Sequence, residues 1–589
     1  MPTPFASTLL RSSRLGLICL LAASSARAEI FRVGVGTGCT HATLESAFAA
    51  AEANGPVADS IYIAVPSLVL ASRIEILNDE VAAIGGFSSC TAPDVTGRTT
   101  IFFDSPSEAF WVHGSSASQL NLHSIDLELG SSAGRAATVE GHGTLFLETA
   151  TLSGGQAPSG GNVWISGVDA TLAMIEGSEI KFGTATAGDG GGIYCELGAF
   201  LLLREGSKFN DNTASGSGGG LFIDGCEVQF DQFVSGTPPG SAEVSRNKAI
   251  NGNGGGIAVV GDASVGLTGW SAAGAPLFVS DNEATLGSGG GIAFDGSSGA
   301  AGLGVLCGEV SRNRAGQTGG GIYVTGTGSF QMTTDPLPCP TGRGSSVLRD
   351  NRSGSFGGGI FVDGPDNVEA VVTRTAISGN FNTAATSGAA AAVKGSASLR
   401  LESCEIHDNE PPPSSGGVET PRIYAGGTGA GLTVAYSTVV EQTTAPGTAA
   451  LQYDGAASIV LVSSIVQASK TFTAQPPATQ VDCVIVAESA SLPLSASAVS
   501  VVTDPALLFR LATVTDFALR RGSPAQDYCD TMIYPPLATD IDGQDRGFDD
   551  TTLANFWGPY DLGADEWRPE ILADGFESGD STHWSSIAP

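Results

Sequence analysis

Five stretches of the chain share one alternation of apolar and polar positions: 209–223 (FNDNTASGSGGGLFI), 244–260 (VSRNKAINGNGGGIAVV), 279–294 (VSDNEATLGSGGGIAF), 310–324 (VSRNRAGQTGGGIYV) and 348–362 (LRDNRSGSFGGGIFV). Each ends in glycines that run into a segment such as Ile322-Tyr323-Val324 or Ile360-Phe361-Val362. Its β-branched and aromatic side chains suit a short strand. A second short strand precedes each asparagine, as in Ala242-Glu243-Val244. A leading copy at 181–195 lacks the asparagine, and degenerate copies follow at 377–393 and 406–417.

The asparagine recurs at Asn212, Asn247, Asn282, Asn313, Asn351, Asn380 and Asn409, at spacings of 35, 35, 31, 38, 29 and 29 residues. A period in this range with variable insertions predicts a solenoid. The body shows few helical patterns, which argues against leucine-rich, ankyrin and other helix-containing repeats. Gly at the turn supplies positive φ or lets neighbouring coils pass closely. Identical amides at one turn can bond in a ladder up a stack of strands. A Gly-rich calcium β-roll needs a nonapeptide with an Asp, and here the glycines come once per repeat. The expectation is an all-β, right-handed parallel β-helix, with an N-terminal capping helix and a C-terminal closing segment.

Both ends carry signals of their own. Residues 43–53 (TLESAFAAAEA) place Leu44, Ala47, Phe48 and Ala51 on one helical face, with Thr43 as N-cap and Gly55 as stop. A strand is expected at Ile61–Ala64. Ahead of these, Arg11 and Arg14 precede an apolar run at 15–23 and the Ala26-Arg27-Ala28 cleavage pattern, so 1–28 reads as a secretory signal peptide. That run is too short to anchor in a bilayer, and no later segment reaches membrane-helix length. The domain reading is signal 1–28, N-terminal cap 29–60, β-helix 61–503, closing region 504–567 and tail 568–589.

The Asn–Ala–GGGI pattern resembles the repeats of polymorphic outer-membrane proteins, within the pectate-lyase-like superfamily of right-handed β-helices. The resemblance covers about 181–362 and thins towards 470, and it implies fold more than activity. The C-terminal barrel of those proteins is absent from this chain. The helix at 43–53 with its following strand resembles the N-terminal cap of that superfamily, and Ile84 to Cys90 resembles early coils of secreted members. Residues 517–520 (FALR), 522–525 (GSPA), 539–543 (TDIDG), Arg546 and 561–566 (DLGADE) together resemble the choice-of-anchor Q region that closes many secreted bacterial β-helices. The tail, with 574–579 (DGFESG) and Trp584, is similar to short tails of other exported proteobacterial proteins and is a candidate sorting signal.

Charge narrows the partners. The chain carries 27 Lys and Arg against 60 Asp and Glu, net −33; without the three arginines of 1–28 the figure is −36. So acidic a surface repels nucleic acid, anionic lipid and polyuronates. Beyond Cys19, nine cysteines remain, none in zinc-ligand spacing. After export, disulfides are the default. Plausible partners are Cys39 with Cys90, Cys195 with Cys226, Cys307 with Cys339 and Cys483 with Cys529, leaving Cys404, although spacing leaves the connectivity open.

Catalytic signatures are sparse. Arg246 and Arg312 sit beside the Asn turn, a repeat or more apart, and read as solvated loop residues rather than a lyase set. Gly141-His142-Gly143 resembles an element of polygalacturonases, but that family's paired acids and Arg-Ile-Lys element are missing; upstream lie only isolated acids such as Asp126 and Glu128, and 178–181 (SEIK) downstream lacks the Arg. It reads as a turn. Residues 540–545 (DIDGQD) depart from the EF-hand order, because Gly543 and Asp545 stand at the wrong positions. No P-loop, GxSxG, HExxH or dinucleotide fingerprint is present. No catalytic residue, cofactor or metal ligand is assigned, and a calcium ion on the acidic surface has no assignable position. The functional expectation is a non-enzymatic surface or secreted protein of a Gram-negative bacterium, adhesin-like, with extracellular glycans or cell-surface components as partners. The alternative is a polysaccharide-active lyase or glycoside hydrolase. What separates them is a feature the sequence does not show: an aromatic or acidic stripe along one face of the rod, or a carboxylate-lined cleft.

Overall fold

One coil shows the plan of the molecule. Residues 200–224 run through four short strands, Phe200–Arg204, Lys208–Asn210, Thr213–Ala214 and Leu221–Asp224. Each then pairs in parallel with its counterpart in the next coil: Glu227–Asp231, Ala242–Ser245, Lys248–Ala249 and Ile257–Gly261. Repetition gives a parallel β-helix, here described from a computed structural model. It covers residues 28–568 apart from 205, 232–240, 270–275, 297–298, 335–338, 340–344, 365–367, 384–387, 410–421, 442–448, 475–478, 512–515, 531–533 and 554. Among the described residues the first two strand positions merge into a 30-stranded sheet, the third forms an 8-stranded sheet, and the fourth a 14-stranded sheet. Residues 1–27 of the expected signal peptide, the expected tail from 569 onwards and most of the loops at 231–240 and 410–430 lie outside the described residues.

The alternation after each glycine run sets which side chains go inside. In the 14-stranded sheet Ile193, Leu221, Ile257, Ile292, Ile322 and Ile360 stack in register and are buried. Each contributes roughly 1.5–3 kcal/mol by leaving water. The intervening residue of each strand points outward, as a period of two requires.

The asparagines form a continuous hydrogen-bonded column. The Asn247 backbone N–H and Nδ2 both donate to Asn282 Oδ1, at 2.9 and 3.0 Å, while Nδ2 also donates to Phe209 O of the preceding coil at 2.8 Å. Asn212 to Asn380 repeat this arrangement, Asn409 ends the column by accepting from Asn380, and all seven side chains are buried. Each amide thus ties three coils. The residue ahead takes left-handed φ, from 52° to 58° at Asp211, Arg246, Asp281, Arg312, Asp350 and Asp408. Satisfying the buried amides offsets that strain.

The glycine runs have three separate reasons. In Gly254-Gly255-Gly256 the first has φ +69°, and a Cβ on the second would run into the Gly290 carbonyl of the next coil. A Cβ on the third would sit 3.0 Å from the Asn282 amide. Asparagine column and glycine run are therefore one packed unit.

The ends depart from the repeat. Helix α1 (Leu44–Asn54) buries Leu44, Ala47, Phe48 and Ala51, with the Thr43 side chain accepting from Ser46 N–H at its start. Strand Ile30–Val33 already pairs in parallel with Asp59–Ile63, so the first coil begins inside the stretch assigned to the cap, and the strand expected at Ile61 starts two residues earlier. At the far end Ser497–Val501 is the last strand of the 30-stranded sheet, and Phe509–Leu511 pairs antiparallel with Asp516–Leu519 in a separate two-stranded sheet. The chain then folds back along the outside of the solenoid. Gly563 N–H donates to Ser463 O, Ala564 N–H to Thr438 Oγ1, and Arg546 to Ser403 Oγ; Arg374 donates to Thr539 Oγ1. The segment is a strap over several coils. All four cysteine pairs are disulfides, 39–90, 195–226, 307–339 and 483–529, the last joining strap to solenoid. Cys404 is a buried free thiol whose pKa burial pushes up to about 12.

Candidate functional site

The outward positions of the 14-stranded sheet form two adjacent columns. In the first, Trp111, Thr138, Trp164, Tyr194 and Phe222 are in register on successive coils. Two alanines follow, Ala258 and Ala293, and then Tyr323, Phe361, Ala392 and Tyr424. Trp111, Trp164, Tyr194 and Tyr323 are half-buried, whereas Phe222, Phe361 and Tyr424 pack beneath their neighbours. Tyr194 stacks on Phe222 at 5.1 Å between centroids, and Tyr323 on Phe361 at 5.9 Å. Such columns arise because parallel coils superimpose side chains at a spacing of about 4.8 Å.

Two residues further along each strand runs the second column. Glu140, Ser166, Glu196, Asp224, Val260, Asp295 and Thr325 are in register, followed by Asp363, Lys394, Gly426 and Asp454. The carboxylates nest against glycines: a Cβ on Gly261, with φ +70°, would lie 2.6 Å from Asp224 Oδ1, and one on Gly326 would lie 2.9 Å from Asp295 Oδ1.

The loops leading into this sheet overhang its face and make two clefts. The front cleft, about 330 Å³, is lined by Trp111, Trp164, Arg73, Arg135, Glu108 and Glu140. The Arg73 guanidinium lies 4.7 Å over Trp111 and pairs with Glu108 at 2.7 Å; Arg135 lies 5.1 Å over Trp164. Trp111 Nε1 donates to Glu140 Oε2 at 2.9 Å. The rear cleft, about 470 Å³, joins Tyr323, Phe361 and Phe356 with Asp363 and Lys394, whose ammonium sits 4.3 Å over Phe356. Burial pushes the Tyr194 phenol up to about 12, with Glu196 and Asp224 adding to it. Burial also raises Tyr323, against a lowering hydrogen bond from Thr325, with Asp363 and Asp295 adding. Both phenols therefore stay protonated and able to donate at neutral pH.

Other residues singled out in the sequence stand apart from these clefts. His142 is exposed in its turn, 3.5 Å from Asp169. Asp126 is held by Arg98. Arg246 and Arg312 are exposed, as solvated loop residues would be, but each grips an aspartate of the preceding coil with two bonds, Asp211 at 2.9 and 2.9 Å and Asp281 at 2.9 and 2.8 Å. Asp540 is buried in the strap, where Oδ1 accepts from the Asp542 and Gln544 N–H and Oδ2 from Glu566 N–H. That makes it a backbone cap. Among the described residues no group of three or more His, Cys, Asp or Glu side chains is placed to hold a metal ion, and no helix is long and apolar enough to cross a membrane.

No family model matches the chain, and no curated protein matches it either.

The sequence reading missed two things. Asn162 takes the place of the missing rung: its Oδ1 accepts from Gly155 N–H at 3.0 Å, and its Nδ2 reaches Asn212 Oδ1 at 3.4 Å. A Cβ at Gly183, where the leading copy lacks asparagine, would sit 2.5 Å from that Nδ2. The outward columns were also missed. Aligning the copies on their glycine runs brings Phe222, Ala258, Ala293, Tyr323 and Phe361 into one column, but Trp111 and Trp164 lie outside the quoted copies.

Proposed function

We propose that this is an exported, non-enzymatic β-helix protein, secreted or displayed on a Gram-negative cell surface, that binds extracellular glycans along the outer face of its 14-stranded sheet. It carries the repeat pattern of the polymorphic outer-membrane type within the pectate-lyase-like group, and a strap of the choice-of-anchor Q kind. Four disulfides suit an oxidising compartment. The observation that supports the binding role is the pair of columns: half-buried aromatic rings beside carboxylates and protonated phenols, under two overhung clefts. Rings offer apolar surface to sugar C–H groups, and the polar column offers acceptors and donors to hydroxyls.

A second reading rests on the front cleft, where Glu108 and Glu140 both line one space, as a glycoside hydrolase requires. Against it, Glu108 is held by Arg73 and Glu140 by Trp111. The deciding experiment is co-sedimentation of the purified protein with insoluble polysaccharides, while new reducing ends and unsaturated uronide absorbance are followed. Retention without turnover is the expected result. Turnover that disappears in Glu108→Gln, Glu140→Gln or His142→Ala would replace the binding role with an enzymatic one.

A further inference from the structure

On this face the chain's own cations show what sits over its rings. Arg73 lies over Trp111, Arg135 over Trp164, and Lys394 over Phe356, at 4.7, 5.1 and 4.3 Å. Arg73 also touches Glu108. Cation over ring, with a carboxylate nearby, is thus this face's own pattern. Tyr194 and Tyr323 have the ring and the carboxylates, Glu196 with Asp224 and Asp363 with Asp295, but among the described residues no Lys or Arg lies over either ring. Nor do Glu196, Asp224, Asp295, Asp363 or Asp454 form an ion pair among the described residues, although carboxylates elsewhere do, such as Asp211, Asp281 and Glu309.

Given the glycan-binding role above, on which this step rests, we infer that the rungs around Tyr194 and Tyr323 bind a polysaccharide bearing free, protonated amino groups, laid along the axis of the rod. Charge excludes the opposite class, since a polyuronate would meet a column of like charge inside a chain of net −33. Pitch separates a sugar chain from a basic peptide. Coils recur every ~4.8 Å, while an extended peptide presents same-side residues only every ~6.7 Å, so it falls out of step within two or three rungs. An extended β-1,4-linked pyranose chain advances by close to one coil height per ring and turns the same side to the sheet at every second ring, so its amines keep step with every second rung.

The test is a titration of the full chain by calorimetry with a hexamer of β-1,4-linked glucosamine, its fully N-acetylated counterpart, a neutral glucan hexamer, an oligogalacturonate and a basic peptide of equal charge. The glucosamine hexamer is expected to bind about tenfold or more tighter than the N-acetylated one, with the advantage shrinking as salt screens it. In the variant Glu196→Gln, Asp224→Asn, Asp295→Asn, Asp363→Asn that preference disappears while neutral-glycan binding persists. Asp211→Asn, which removes a charge far from the face, leaves the preference intact; thermal melts of all variants check folding. Equal affinity for neutral and aminated sugars would overturn the amine inference and leave the glycan role standing. Binding of the basic peptide with no sugar binding, or no binding at all, would overturn both.

Discussion

Two columns of charged side chains run along this solenoid, about one residue per coil, and they follow opposite rules. At the asparagine turn, Asp211, Arg246, Asp281, Arg312 and Asp350 alternate in sign on successive coils, and the arginines grip the aspartates below them. On the outer face of the 14-stranded sheet, Glu196 and Asp224 stand next to each other with the same sign, and Asp295, Asp363 and Asp454 continue the series with only Lys394 opposed. Like charges a coil apart repel, and alternating ones attract. Folding alone would favour the first arrangement everywhere. Over most of its length this column is not neutralised by cations of its own, and the aminated glycan proposed above would complement it.

If the turn serves the fold and the face serves binding, damage should separate cleanly. The largest effect is expected from Asn282→Ala. It removes a buried amide that accepts two bonds from Asn247 and donates to Val244 O and Asn313 Oδ1. Leaving those groups unsatisfied should cost about 3 kcal/mol in urea unfolding. Glycan affinity of the folded fraction should not change; a loss of affinity without a loss of stability would dissolve the distinction. Trp164→Ala should do the reverse, weakening glycan retention about tenfold with a smaller change in melting temperature, because Trp164 is a half-buried ring on the face.

A third set of carboxylates sharpens the contrast by pH. Asp561 and Asp565 are buried within the strap, and burial holds both pKa values well above the ordinary carboxylate range. Their folded forms bind protons more readily than the unfolded chain does. Their stabilising contribution is therefore present at low pH and lost as pH rises through the raised values. Melting temperature should fall as pH rises from the ordinary carboxylate range through the raised values, and Asp565→Asn, which keeps an acceptor for Leu519 N–H, should flatten that slope. An unchanged slope would show that Asp565 is not the group responsible. The smallest effect belongs to Arg312→Ala, whose pair with Asp281 is about half exposed on both sides. It should cost no more than about 0.5–1 kcal/mol and less in high salt.

Much of the architecture was legible because it is written as periodicity. The glycine runs, the asparagine spacing and the Ile-x-Val alternation each state a local backbone requirement, and the structure stacks them into one parallel β-helix. The helix at 43–53 was legible for the same reason, through the burial of Leu44, Ala47, Phe48 and Ala51. The clefts were not. Trp111 and Glu140 are 29 residues apart in sequence yet hydrogen-bonded, and Phe356 reaches Tyr424 at 5.4 Å across intervening coils. Nor did any motif announce that Asn162 would complete the asparagine column, or that Thr438 and Ser463 would hold the strap.

The sequence by itself determined the coil: where it turns, which side chains face inward, and which buried amides tie neighbours together, since these depend on residues close in the chain or repeated at a readable period. Tertiary structure alone decided which outward residues become neighbours, because insertions of different length set the spacing in sequence while the ~4.8 Å stacking of strands sets the spacing in space.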